Sequence, residues 1–188
     1  MQKLLILDID ETLVSCDCTC CNKMDNIKYD FDLYFGDEKY YCIKRPFLDD
    51  FLKYCKTNFR IAFWSAGEKV YVERIVDEIL KNTGIEPLFV WSFEKCTKKL
   101  SFVSFFNNKT ILYKKLKKVW RNKKFNCDKK NVLILDDTEI TYKYNTGNAI
   151  SIKKFFGKDE NDTELLRVKG VLETLKDCED VRLINKNY

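Results

Sequence analysis

The strongest constraint on this chain is a repeated pattern: short, unbroken apolar runs that stop in acids. LLIL at residues 4–7 runs into Asp8-Ile9-Asp10-Glu11, and VLIL at residues 132–135 runs into Asp136-Asp137. An apolar run of this length without polar alternation fits a strand covered on both faces. Strands are therefore expected at 3–8, 60–65 (RIAFWS), 88–93, 131–137 and 149–152. Helical periodicity separates them. Phe47, Leu48, Phe51, Leu52 and Cys55 share one face of a helix opened by Pro46, whose missing N–H costs nothing there. Val72, Ile75, Val76, Ile79 and Leu80 line a second helix, introduced by Gly67-Glu68 and ended by Gly84. Further helices are expected at 111–121 and 162–177. Strands alternating with helices predict an α/β fold with a mainly parallel central sheet. Residues 27–43 depart from this: aromatic and polar residues alternate around Gly36-Asp37, which predicts a small antiparallel hairpin. Residues 94–110 read as loop plus a short insertion.

Composition narrows the function classes. A hydrophobic share of 45% and an aromatic share of 14% exclude a disordered chain. No apolar run is long enough to span a bilayer, and the N-terminus lacks a signal-peptide pattern. The expectation is an intracellular protein, nuclear or cytoplasmic, with no membrane partner. Nine cysteines, an odd number, then favour free thiols in a reducing compartment. Cys16, Cys18, Cys20 and Cys21, in SCDCTCC, are too crowded for the paired spacing of a zinc site, and the chain has no His. A loop with incidental thiols is the expectation there. Charge is uneven. Net charge is +5, yet residues 95–130 hold 13 basic residues against a single acid, Asp128. That block is either a solvated lysine-rich face or an attraction for phosphorylated protein or nucleic acid.

The acids at the strand ends carry the chemistry. In open parallel sheets, ligands collect beyond the carboxyl ends of the strands. Asp8, Asp10, Ser65, Asp136 and Asp137 all sit at such ends. Any one of them has a bland role in a turn or helix cap. Two acidic pairs after matching apolar runs would repel one another, a cost that a hard divalent cation such as Mg²⁺ relieves. A carboxylate nucleophile with Mg²⁺, a lysine and a hydroxyl suits phosphoryl transfer. The absence of His excludes His-based triads and costs such a site nothing.

DIDETL resembles the nucleophile motif, Asp-x-Asp-x-Thr, of the haloacid dehalogenase superfamily. Together with KRPFLDDFL, FWSAG and LILDD, in that order from about residue 3 to about 177, it resembles more narrowly the phosphatases acting on the C-terminal domain of RNA polymerase II. The resemblance implies a Rossmann-like fold with a small hairpin insertion and no large cap domain. It further implies a single phosphatase domain over residues 1–188, with insertions near 14–43 and 91–110. Asp8 then resembles the nucleophile that forms an aspartyl-phosphate and touches Mg²⁺. Asp10 resembles the general acid and base, its backbone carbonyl also facing the metal. Thr12 steadies the loop, or merely caps a turn. Ser65 resembles the hydroxyl that holds the phosphate, where relatives often carry Thr. Asp136 and Asp137 resemble the last acidic pair, with the division between metal binding and lysine orientation left open. Lys114 is the preferred lysine from its spacing to Leu116, with Lys115, Lys117 and Lys118 as nearby alternatives.

Two features depart from the pattern. RNKKFNCDKKN before the last motif is longer than in close relatives, and the region LFVWSFEKC lacks the Arg that polymerase-tail phosphatases often have. Phe93, Phe102, Phe105 and Phe106 either line an aromatic peptide groove or pack an insertion. The implied function is a Mg²⁺-dependent protein serine/threonine phosphatase whose partner is a phosphorylated protein or peptide, the polymerase tail being one candidate. The alternatives are a phosphatase of nucleic-acid termini, less favoured, and a non-catalytic phosphoprotein-binding scaffold of the same fold.

Overall fold

The computed structural model describes residues 2–18, 28–100 and 110–186. In chain order the strands and helices begin with β1 (Leu4–Leu7), β2 (Val14–Cys18), β3 (Phe31–Phe35), β4 (Glu38–Lys44), α1 (Leu48–Asn58), β5 (Arg60–Trp64) and α2 (Lys69–Leu80). Then come β6 (Val90–Trp91), β7 (Thr97–Leu100), β8 (Thr110–Tyr113), α3 (Lys117–Trp120), β9 (Val132–Asp136), α4 (Glu139–Tyr142), β10 (Ala149–Ser151) and α5 (Glu164–Leu175). The central sheet is parallel, in the order β10-β9-β1-β5-β6. The expected α/β architecture with a mainly parallel sheet is what the chain adopts.

β1 lies in the middle because its residues are apolar on both faces. Leu5 and Leu7 join a core with residues of α1, α2 and α5. Leu4 and Ile6 join a second core with Trp64, Leu116, Val119, Ile134 and Tyr142. All four β1 side chains are fully buried, each worth roughly 2 kcal/mol of transfer free energy. The register aligns Leu7 with Phe63 on one side and Leu135 on the other. The loops after β1, β5 and β9 therefore leave the sheet at one level. That alignment builds the site.

Beside this sheet, β2, β4 and β3 form a three-stranded antiparallel sheet, and β7 pairs antiparallel with β8. Gly36 turns the expected hairpin with a φ of 62°, a conformation that glycine adopts without penalty. The cysteine cluster differs from expectation. Cys16 and Cys18 lie on β2, not in a loop, and Cys16 is disulfide-bonded to Cys42 directly opposite on β4. Strand register, not spacing within the cluster, puts the two side chains together. Cys20 and Cys21 lie outside the described residues.

Three element boundaries also differ. The first helix begins at Leu48; Pro46 precedes it in a turn, and Phe47 takes a left-handed φ of 67°. The strand expected at 88–93 shortens to β6, with a 3-10 turn at Phe93–Lys95. The helix expected at 111–121 is β8 followed by the short α3, because Thr110-Ile111-Leu112-Tyr113 finds a strand partner in β7. Phe102, Phe105 and Phe106 lie outside the described residues, so the aromatic groove has no structural description. No described helix is long and apolar enough to cross a membrane.

Candidate active site

Glu11 starts the loop after β1 with a left-handed backbone, φ 57°, and the amides of Leu13 and Val14 donate to the Ile9 carbonyl. This tight return follows Asp8 and Asp10 at the end of the strand. Arg45, buried at the edge of this loop, locks it in place. Its Nη1 donates to the Thr12 carbonyl at 3.0 Å, Nη2 to the Lys153 carbonyl at 2.8 Å, and Nε and Nη2 to the two Asp162 oxygens at 2.9 and 2.7 Å. A planar fork with several donors suits this clamp better than an ammonium.

Asp8, Asp10, Ser65, Lys114, Asp136 and Asp137 line one cavity of about 310 Å³. Thr12 is fully buried next to it, its hydroxyl 3.3 Å from Asp8 Oδ2 and 3.1 Å from Asp137 Oδ1. All seven sequence candidates thus converge. Lys114 follows β8 and is pinned through its backbone. Its N–H donates to the Thr141 carbonyl at 2.7 Å, and its carbonyl accepts from Asn145 Nδ2 at 2.6 Å. The ammonium, almost wholly buried, donates to Asp8 Oδ1 at 2.5 Å and Asp136 Oδ2 at 2.7 Å. Lys115, Lys117 and Lys118 make neither contact.

The four carboxylates live in different surroundings. Asp136 accepts three hydrogen bonds: Oδ2 accepts from Lys114 and from the Thr141 hydroxyl at 2.7 Å, and Oδ1 from the Thr138 amide at 2.9 Å. Asp137 accepts from the Thr138 hydroxyl at 2.7 Å and pairs with Lys154 at 3.1 Å. Burial would raise its pKa, but the hydrogen bonds from Thr138 and Lys154 help to hold the carboxyl below its ordinary range. Asp10 instead faces hydroxyls, accepting from Tyr71 at 2.5 Å and Ser65 at 3.0 Å. Burial raises its pKa in spite of those hydrogen bonds. The Tyr71 hydroxyl is pushed up in turn by its own burial and by Asp10. The Ser65 hydroxyl also accepts the Gly67 amide at 2.9 Å.

Burial pushes the Asp8 carboxyl well above its ordinary value; Lys114 pulls it down, and Asp136 and Asp137 push it up again. For Lys114, burial disfavours the ammonium, but Asp136 and Asp8 outweigh it and keep it charged. One buried ammonium cannot neutralise three carboxylates. Oxygens of Asp8, Asp136 and Asp137 all lie within 4.8 Å of one another. This is a hard, all-oxygen donor set of the kind that holds a divalent cation of the Mg²⁺ class, and a cation there would relieve the repulsion. The residues therefore fit a metal. The Asp10 carboxylate is not in that group, which leaves only its backbone carbonyl for such a role.

Sequence reasoning did not identify Arg45, Tyr71, Thr138, Thr141, Asn145 or Lys154. All are ordinary residue types: Thr138 and Thr141 bind Asp136 or Asp137 from one to five positions away, whereas Tyr71 meets Asp10 across 61 positions and Arg45 meets Asp162 across 117. A second hollow, of about 300 Å³ and lined in part by Ser15, Asp17, Phe156 and Lys158, shares Asp10 and Glu11 with the first.

Residues 3–182 match the NLI interacting factor-like phosphatase family. The chain is 28% identical over 182 residues to a CTD small phosphatase-like protein of Dictyostelium discoideum, covering 95% of this chain but only 28% of that protein. It is 30% identical over 191 residues to a CTD phosphatase-like protein of Invertebrate iridescent virus 6, covering 91% of this chain and 97% of the viral one. Among solved structures, that of Fcp1, an essential RNA polymerase II CTD phosphatase, superposes with a TM-score of 0.63 at 16% identity, over 92% of this chain and 62% of that one. At that identity the likeness speaks for the fold alone.

Proposed function

The chain belongs to the NLI interacting factor-like phosphatases of the haloacid dehalogenase superfamily, and from that premise we propose that it is a Mg²⁺-dependent phosphatase of phosphoserine or phosphothreonine in protein. The observation that carries the reading is the division of labour at the end of β1. Asp8 is held by the Lys114 ammonium, whereas Asp10 is held by the neutral hydroxyls of Tyr71 and Ser65. Two neighbouring carboxyl groups in unlike surroundings fit a nucleophile and an acid.

In this mechanism an Asp8 carboxylate oxygen attacks phosphorus, and the bond from phosphorus to the leaving serine or threonine oxygen breaks. That oxygen takes the proton of Asp10. The aspartyl-phosphate on Asp8 is then attacked by water, which gives its proton to the Asp10 carboxylate. The Asp8–phosphorus bond breaks, and inorganic phosphate leaves with both aspartates restored. Lys114 balances Asp8 and faces the phosphoryl oxygens, and Ser65 offers them its hydroxyl. Asp8, Asp136 and Asp137 would hold Mg²⁺, with the Asp10 carbonyl as a further oxygen; when bound, the ion neutralises charge on the transferring phosphoryl group. Thr12 keeps Asp8 and Asp137 in register.

A protein substrate is supported by the second hollow, which shares Asp10 and Glu11 with the first, and by the relatives, which are named as CTD phosphatase-like proteins. The RNA polymerase II tail is one candidate, and the single-domain reading of residues 1–188 belongs to the same proposal. The test is turnover of a generic phosphate ester with and without Mg²⁺, then a panel of phosphopeptides beside 5′- and 3′-phosphorylated oligonucleotides. The reading expects metal-dependent turnover that is lost in Asp8→Asn, and a preference for phosphopeptides. No turnover under any divalent metal would leave a non-catalytic scaffold; a preference for oligonucleotides would replace the substrate class.

A further inference from the structure

Two ammonium groups line the cavity, and they are not alike. Lys114 is buried and fixed between Asp8 and Asp136. Lys154 stands at the rim, its side chain 46% exposed, paired with Asp137 at 3.1 Å and with Glu11. Its backbone is nevertheless well anchored. The next amide, Phe155, donates to the Glu11 carbonyl at 2.8 Å, and the Phe155 ring is buried. Gly157 has a φ of 72°, a left-handed backbone that favours glycine, and packs closely against the Ile43 and Ser15 side chains. A long, half-exposed side chain on a fixed backbone keeps its charge near the site while its ammonium is free to change partners.

The charge count shows why this matters. Asp8, Asp10, Glu11, Asp136 and Asp137 line the cavity against Lys114 and Lys154. Lys154 pairs with Asp137, a member of the oxygen cluster that suits a metal. A bound divalent cation would bring two positive charges to Asp137 and make the ammonium surplus there. An incoming phosphate, by contrast, would bring negative charge into the cavity that Lys154 lines.

We propose that Lys154 is a tethered, exchangeable counter-ion. It neutralises Asp137 when the metal is absent, yields that carboxylate to the metal, and turns its ammonium to the substrate phosphate in the loaded site. It is thus a residue that opposes metal uptake and favours phosphate binding, and the inference rests on the metal reading given above. The test uses the full chain, Lys154→Gln and Lys154→Arg. Calorimetry measures binding of Mg²⁺ alone, and then of inorganic phosphate to the Mg²⁺-saturated protein. Lys154→Gln should bind Mg²⁺ about fivefold more tightly and phosphate about fivefold more weakly, the size expected of a half-exposed charge, and Lys154→Arg should restore both. A purely structural role would move both affinities in the same direction. That result in Lys154→Gln, or no change in either, overturns the inference while the metal reading stands. If the unaltered protein takes up no Mg²⁺, the metal reading falls and the inference with it.

Discussion

The ends of β1 and β9 look alike in sequence, LILDID and LILDD, and lie side by side in the sheet, yet they present their acids differently. At the β1 end the two carboxylates are kept apart by their partners: an ammonium for Asp8, hydroxyls for Asp10. At the β9 end both belong to the metal-type cluster, but Asp136 accepts from Lys114, Thr138 and Thr141, whereas Asp137 is paired with a rim lysine. A similar strand end can thus serve two ends. In the proposed mechanism the β1 end reacts and the β9 end helps to hold the metal, and what separates them is the set of donors each meets.

The sharpest way to break this comparison is at the β1 end. Asp8→Asn should lower turnover of a generic phosphate ester by at least about 10⁴-fold, the scale of losing a nucleophile. Asp10→Asn should cost roughly 10²- to 10⁴-fold, the scale of losing a general acid. Equal and small losses in the two variants, measured as kcat, would erase the distinction. At the β9 end the effects should be smaller and should split. Asp136→Asn loosens Lys114 and should lower kcat about 10- to 100-fold, with a smaller loss of Mg²⁺ affinity than Asp137→Asn, because its oxygens are already engaged by Lys114, Thr138 and Thr141. Asp137→Asn should weaken Mg²⁺ binding by at least about tenfold, read by calorimetry, because a carboxylate that can be freed from a rim lysine is the better ligand. The opposite split would exchange the two roles.

The smallest effect lies in the support of the β1 loop. Burial would raise the Asp162 pKa, but the Arg45 guanidinium and the Glu164 amide hold it below the usual carboxylate range. A depressed carboxylate pKa adds stability above the unfolded value of about 4, and that stability is lost as pH falls through the folded value. The parent should therefore lose stability between neutral pH and about pH 3 more steeply than Asp162→Asn, which at neutral pH should be about 2 kcal/mol less stable in urea unfolding. Parallel pH profiles for the two proteins would remove Arg45–Asp162 as the anchor of the loop.

Much of the fold was legible because burial on both faces leaves a plain mark. LLIL, IAFW and VLIL are short and apolar throughout, which fits interior strands, and the acids and the serine that follow them fall at one level once the strands pair. Lys114 was distinguishable from its neighbours only by its spacing to Leu116. The structure gives the physical reason for that spacing: the Asn145 side chain accepts the Leu116 amide at 3.2 Å while donating to the Lys114 carbonyl. What was not legible depends on contacts between distant residues. Nothing around Tyr71 or Lys154 announces a carboxylate partner, and nothing in SCDCTCC announces Cys42. Ile111 to Tyr113 reads as the start of a helix because its apolar residues satisfy either period over so short a run, and only β7 decides between them.

The central claim is that the β1 end reacts covalently through Asp8, and the most direct measurement is acid-quenched turnover followed by peptide mass spectrometry. The protein is mixed with a phosphate ester and Mg²⁺, stopped within the first turnovers and digested at low pH. The account predicts a phosphoryl group on Asp8 in the peptide carrying LLILDIDETL, with more of it in Asp10→Asn if loss of the base slows hydrolysis more than loss of the acid slows attack. A phosphoryl group found on another residue, or turnover in Asp8→Asn equal to that of the parent, would contradict it.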